Sequence, residues 1–130
     1  MPICQHRTVL ITGAGGGLGR AYALAFAAEG AQVVVNDVRV DAARAVAAEV
    51  AASGGRALAN SGDITTLAGA QAIVDAAVAV FGDVQVLVNN AGILRDRMFL
   101  SLGEDDWDAV MRVHLKGHFC LANVLGRRWR

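Results

Sequence analysis

The chain has one tyrosine and one lysine, Tyr22 and Lys116, among its 130 residues. Cysteine is scarce too: there are two, and Cys4 and Cys120 form neither a CxxC pair nor a Cys/His cluster. Such usage fits reduced, structural thiols in a cytoplasmic protein and leaves no ligand set for a metal. His114 and His118 have i, i+4 spacing, but with no glutamate or third ligand beside them they make a poor zinc site. Neither sign of charge is in excess: 12 basic residues balance 12 acidic ones. A nucleic-acid footprint and a polybasic membrane surface are therefore not expected. Although 55% of the residues are hydrophobic, no unbroken apolar run reaches the length of about 18 that a membrane span needs. The opening "MPICQHRTVLITG" has no basic stretch followed by a long apolar one, so no secretory signal is read. These absences predict a soluble, intracellular, globular protein. Its length suffices for one domain with a real core, but is short for a complete α/β enzyme.

What the chain does have is alternation. Arg7–Thr12 reads as a buried strand, and Leu18, Ala21, Tyr22, Ala25 and Phe26 then recur at helical spacing. Gly30 closes that helix, and "AQVVVND" gives a second buried strand ending at Asp37. Ala43, Val46, Ala47 and Val50 mark the next helical face, ended by Gly54 and Gly55. "RALANSGD" is a weaker third strand. Thr65 or Thr66 can cap a helix whose inner face is Leu67, Ala70, Val74, Ala77, Val78 and Phe81, with Gly82 after it. "VQVLVNNAG" is a fourth strand running into a turn. Ser101 and Glu104 have capping-box spacing, and Trp107, Val110, Met111, His114 and His118 share one face of the helix that follows. Strands alternating with helices predict βαβ units and a parallel sheet covered on both sides.

The first strand runs into "TGAGGGLG". This does not fit G-x-G-x-x-G, because the sixth position from Gly13 is Leu18. It fits T-G-x-x-x-G-x-G through Thr12, Gly13, Gly17 and Gly19. One glycine permits a tight turn, another lets backbone approach a pyrophosphate, and a third allows helix and strand to pack closely. The helix N-terminus then meets the negative charge. No Gly-Lys-Ser/Thr follows, which excludes a Walker loop. Asp37 lies near the expected interval of about 20 residues after the glycines, where a carboxylate accepts the hydroxyls of an adenosine ribose. A carboxylate there repels a 2′-phosphate, so NAD is favoured over NADP, although Arg39 could soften the preference.

The loop, "GDIT" (Gly62 to Thr65) and "NNAG" (Asn89 to Gly92) occur in the order found in the short-chain dehydrogenase/reductases, and the chain resembles that family over nearly its whole length. Within it, "GRAYALAFAAEGAQVVVND" and "NNAGILRDRMF…DDWDAVMRVHLKGHF" look most like the (3R)-hydroxyacyl-CoA dehydrogenase branch of multifunctional β-oxidation enzymes and their bacterial relatives. That branch often carries an insertion after "VVVND", which is missing here. The resemblance implies a Rossmann-like three-layer αβα fold, its sheet ordered 3-2-1-4-5-6-7, of which this chain supplies strands one to four. It implies cofactor contacts from Thr12, Gly13, Gly17, Leu18, Gly19 and Asp37, and adenine contacts from Asp63 and Ile64. Asn89 would tie adjacent strands together, while Asn90, Ala91 and Gly92 line the cleft. His114 stands where most of the family has an asparagine of a proton-relay chain, which makes it a candidate relay member; a histidine on an apolar helical face is more often a core residue than a catalyst. Arg95, Asp96 and Arg97 read either as part of a loop at the cleft mouth or as solvated surface charges.

The family's chemistry needs a serine, a tyrosine that transfers the hydroxyl proton, and a lysine four residues later that lowers its pKa. Tyr22 and Lys116 cannot fill those roles, since they lie on different helices far apart in sequence. The expectation is therefore the NAD-binding portion of a secondary-alcohol dehydrogenase, ending before the Tyr/Lys segment, with a small-molecule substrate in a full-length relative. A non-catalytic dinucleotide-binding or interaction module is the rival, and a methyltransferase a distant third. "VQVLV" would be left with an unpaired edge, and Trp107 and Met111 without neighbours, which predicts a homo-oligomer or an aggregation-prone chain.

Overall fold

Side-chain alternation along four short strands organises the molecule, whose computed structural model describes residues 1–130. β1 (Thr8–Ile11), β2 (Gln32–Asn36), β3 (Arg56–Asn60) and β4 (Val86–Val88) form one all-parallel sheet in the order β3-β2-β1-β4. Val9 pairs with Val33 on one side and Val86 on the other, and Val33 pairs in turn with Ala57. Successive residues of a strand face opposite sides of the sheet. Accordingly Val9, Ile11, Val33 and Val35 pack with Ala23, Ala43 and Val46 on one side. Leu10 and Val34 pack with Ala70, Ile73, Val74, Ala77, Cys120, Leu121 and Leu125 on the other.

The first of these layers is α1 (Gly17–Ala28) with α2 (Val40–Ala52), and the second is α3 (Leu67–Phe81) with α4 (Glu104–Met111) and α5 (Gly117–Trp129). This is the three-layer αβα arrangement expected from the sequence. β1 and β2 are buried on both faces, which explains why they read as continuous apolar runs. Thr66, rather than Thr65, caps α3: its hydroxyl accepts the Gly69 N–H at 2.9 Å. Gly30, Gly54 and Gly82 close α1, α2 and α3 as predicted.

Three local departures matter to the site. β4 is shorter than its apolar run because Gln85 turns back on β1: its Oε1 accepts the Thr8 N–H at 2.7 Å and its own N–H goes to the Thr8 carbonyl. Ser101 does not cap the helix after the fourth strand; it lies in a 3₁₀ turn, Phe99–Ser101. Gly103 takes the cap position, with the Asp106 carboxylate reaching back to its N–H at 3.4 Å. Finally, α4 and α5 are continuous through one π-helical turn, Arg112–Lys116. A π turn inserts a residue and rotates everything beyond it, so the stripe Trp107–His118 is not one face. Beyond the turn Gly117, Cys120, Leu121, Val124 and Leu125 are buried, whereas before it Trp107 is 59% exposed.

β4 pairs with β1 alone, leaving its other edge without a strand. The end of α5 is fastened across its approach, with Trp129 Nε1 donating to the Val84 carbonyl at 2.6 Å and Arg128 meeting Asp83 at 2.8 Å.

Candidate cofactor-binding site

In a parallel sheet all strands end on the same side, so the segments leaving β1, β2, β3 and β4 converge on one crevice. Here they enclose a cavity of about 400 Å³. Gly13 lines it from the first loop, Asp37 and Arg39 from the second, Asp63 and Ile64 from the third, and Asn90, Ala91 and Gly92 from the fourth. The segments that the sequence singled out separately therefore meet at one place.

The glycines divide the work by what a side chain would encounter. Gly13 has φ +62°, and a Cβ on it would lie 2.8 Å from Ala91 Cα, so the first turn packs directly on the fourth. A Cβ on Gly19 would collide with the Gly13 carbonyl oxygen and approach Ala14 Cα to 2.8 Å; this is the close helix–strand contact. Gly17, at φ +53°, has nothing within 4 Å of a would-be Cβ. Its backbone faces open space at the start of α1, whose N-cap, Gly16, supplies no side chain. The first N–H groups of the helix thus remain available to an anion. Gly17 and Leu18 form this rim outside the cavity, and the Leu18 side chain is 68% exposed.

Asp37 is 6% exposed. One carboxylate oxygen accepts the Gly15 N–H at 2.9 Å, and the other accepts the Arg39 N–H at 2.9 Å. It therefore fixes the glycine loop, and because an ionised carboxylate offers about four acceptor positions, it keeps capacity for hydroxyl donors. Asp63 closes a turn on Thr65, accepting its N–H at 2.8 Å and its hydroxyl at 2.6 Å. The Thr65 hydroxyl and then the Thr65 amide hold the Asp63 carboxyl below its usual range; burial opposes them, and the charges of Arg112 and Lys116 contribute less in the same direction as Thr65. A carboxyl depressed in the folded state contributes stability above its unfolded pKa, and the contribution is lost as pH falls through the folded value. Thr65→Val is expected to raise the Asp63 pKa toward the ordinary carboxylate range and so move that acid loss to higher pH. A carbonyl ¹³C titration of Asp63 measures this, and an unchanged pKa would refute the assigned cause.

The strand tie expected of Asn89 belongs to Asn90. Asn90 Nδ2 donates to the Thr12 and Gly13 carbonyls at 3.1 and 3.2 Å. The Asn90 and Ala91 amides both donate to Thr12 Oγ1, at 3.0 and 2.9 Å. Asn89, by contrast, has a buried Oδ1 with no partner. Sequence reasoning also missed Asn36, which lines the cavity and whose Nδ2 donates to Asn60 Oδ1 and the Gly62 carbonyl at 3.1 and 3.2 Å. This bond holds the "GD" segment in place. A strand-end asparagine gives no such signal by itself.

His114 lies beside the cavity, against Gly92: a Cβ there would meet the imidazole at 2.5 Å. Tyr22 is on α1 and Lys116 on the helix of the opposite layer, so the sheet separates them. Arg97 pairs with Asp106 at 2.7 Å, while Arg95 and Asp96 line a neighbouring cavity.

An all-parallel sheet flanked by helices, with a glycine turn at a helix N-terminus and an acidic residue at the end of the second strand, defines a Rossmann-like α/β domain. The short chain dehydrogenase family model matches residues 7–129, and the chain belongs to that family. It is 50% identical to the peroxisomal multifunctional enzyme type 2 of Mus musculus, covering 87% of this chain and 16% of that protein. It is 43% identical to the hydroxyacyl-CoA dehydrogenase ChsB1 of Mycobacterium tuberculosis, over 95% of this chain and 40% of the relative. The crystal structure of a short chain dehydrogenase from Mycobacterium avium superimposes with a TM-score of 0.95 at 47% identity, covering 100% of this chain and 49% of the other. The chain thus spans less than half the length of these relatives.

Proposed function

We propose that this chain is the NAD-holding portion of an oxidoreductase acting on a secondary alcohol or its ketone, with 3-hydroxyacyl-CoA esters as the substrate class. The observation that carries this reading is the convergence of the glycine turn, Asp37, Asp63 and the Asn90–Gly92 turn on one cavity. The relatives named hydroxyacyl-CoA dehydrogenase and multifunctional enzyme support the substrate class. When bound, NAD would supply hydride acceptance. The chain's own residues bind and orient: the open N-terminus of α1 faces the pyrophosphate, Asp37 the ribose hydroxyls, and Asp63 with Ile64 the adenine. Tyr22 and Lys116 stand on opposite sides of the sheet, so they do not form a pair that could move the hydroxyl proton.

Asp37 decides between the two nicotinamide cofactors, because its carboxylate would face the extra phosphate of NADP. Arg39, whose side chain is 68% exposed, is the opposing influence. Calorimetric titration is expected to show NAD bound more tightly than NADP. In Asp37→Ala the difference should shrink by about tenfold or more, the effect of removing one charged hydrogen-bond acceptor. Tighter binding of NADP by the native chain would overturn the assignment.

A further inference from the structure

His114 Nε2 lies 3.0 Å from the Ile93 amide nitrogen and 2.9 Å from the Ile93 carbonyl oxygen. One ring nitrogen cannot serve both. With a lone pair it accepts the N–H and opposes the carbonyl; with a proton it donates to the carbonyl and opposes the N–H. Ile93 is also the residue shared by two cavities. It lines the cofactor cavity on one side, and on the other a cavity of about 370 Å³ whose walls include Leu102, Trp107, Val110 and His114 itself. The imidazole is wedged against Gly92, so it cannot change its bonding without acting on this stretch of backbone.

We propose that His114 is a positioning residue whose proton sets the wall common to the two cavities, exchanging the Ile93 N–H for the Ile93 carbonyl as its partner. The π-helical turn Arg112–Lys116 carries His114 to this position. The charged or titratable groups around it are His118, Arg112 and Lys116 on its own helical segment, Asp106 at the start of α4, Arg95 and Asp96 on the facing loop, and Asp63 beyond Val113. Aspartates ordinarily change charge near pH 4 (about) and arginine and lysine above about pH 10. Histidine is the side chain whose charge ordinarily changes between about pH 5 and 8, and the two here have ring centroids 6.5 Å apart. The exchange at Ile93 stands on this geometry alone; its consequence for NAD rests on the cofactor reading above.

The test is a pH titration of the isotopically labelled 130-residue chain, following the Gly92 and Ile93 backbone resonances and the His114 ring. On acidification the Ile93 amide proton should move upfield as it loses its acceptor, and the Ile93 carbonyl carbon downfield as it gains a donor. Both should share the midpoint of the His114 ring. His114→Asn supplies an amide that offers a donor and an acceptor at once, so the variant should keep the fold and lose the titration. His118→Gln should retain it. A flat Ile93 response in the native chain, or a response that persists in His114→Asn, overturns the proposal. In parallel, the affinity for NAD should change by about 2- to 10-fold across the interval, the effect of one net hydrogen bond, and be constant in His114→Asn. A titrating Ile93 with constant affinity would refute the coupling to the cofactor wall. If NAD bound at no pH, the cofactor reading would fail, while the Ile93 resonances would still decide the exchange.

Discussion

Gly19→Val is expected to abolish the NAD binding proposed above and to destabilise the fold by about 3 kcal/mol or more, the upper range for overpacking. Even the first carbon of a side chain there would collide with the Gly13 carbonyl oxygen and lie 2.6 Å from Asn90 Nδ2. Neither obstacle can swing away. The first is backbone, and the second is an amide already committed to the Thr12 and Gly13 carbonyls. Relief therefore requires α1 to move off the sheet, which would draw Ala23 out of the cluster it shares with Val9, Ile11 and Val33. Gly17→Ala provides the contrast. Its Cβ would enter open space, so the fold should lose only about 1–2 kcal/mol for an L-residue at positive φ. Binding should still fall steeply, because that space is where the phosphates would approach. Urea unfolding and calorimetric titration of both variants measure the two effects separately. Native-like affinity in the Gly19 variant would mean that the loop is not the phosphate cradle.

The features that were legible in the sequence are those carried by period and by backbone exception. Val33, Val34 and Val35 are all buried, and an unbroken apolar run is what a strand covered on both faces must show. Gly30, Gly54 and Gly82 have φ between +89° and +91°, a conformation other residues adopt at a cost, so they marked helix ends in advance. Asp37 was legible because its distance from the glycines is set by the length of one β-α-β unit. The misreadings concern bonds between segments remote in sequence. Nothing in "NNAG" says which asparagine turns toward β1, and Gln85 shortens β4 only because Thr8 is opposite it. The π-helical turn was hidden for a related reason. Its extra residue leaves no compositional trace, yet it rotates Gly117 onto Ile64, where a Cβ would lie 2.9 Å from Cδ1.

Thr12 is expected to be the most sensitive polar side chain in the chain. It is fully buried, and its hydroxyl oxygen accepts two amides from the far strand's turn, those of Asn90 and Ala91, at 3.0 and 2.9 Å. Valine has the same shape and no acceptor. Thr12→Val therefore leaves the Ala91 N–H without an acceptor, at about 1–3 kcal/mol where water is excluded, while the Asn90 N–H keeps the Val88 carbonyl at 3.1 Å. Ala91 is only half-buried, so the loss from this amide should fall in the lower part of that range, about 1–2 kcal/mol. That is a measurable share of the roughly 5–15 kcal/mol that holds a domain together. Thr12→Ser keeps the oxygen and removes one methyl group, a change of about 1 kcal/mol. The two variants thus separate the hydrogen bonds from the packing. The same amides fix Asn90 and Ala91 against Gly13 across the mouth of the cavity, so the valine variant should also bind NAD more weakly at temperatures where it remains folded. Chemical denaturation with serine and valine side by side decides the matter: equal losses would show that the hydroxyl carries none of the tie between β1 and β4.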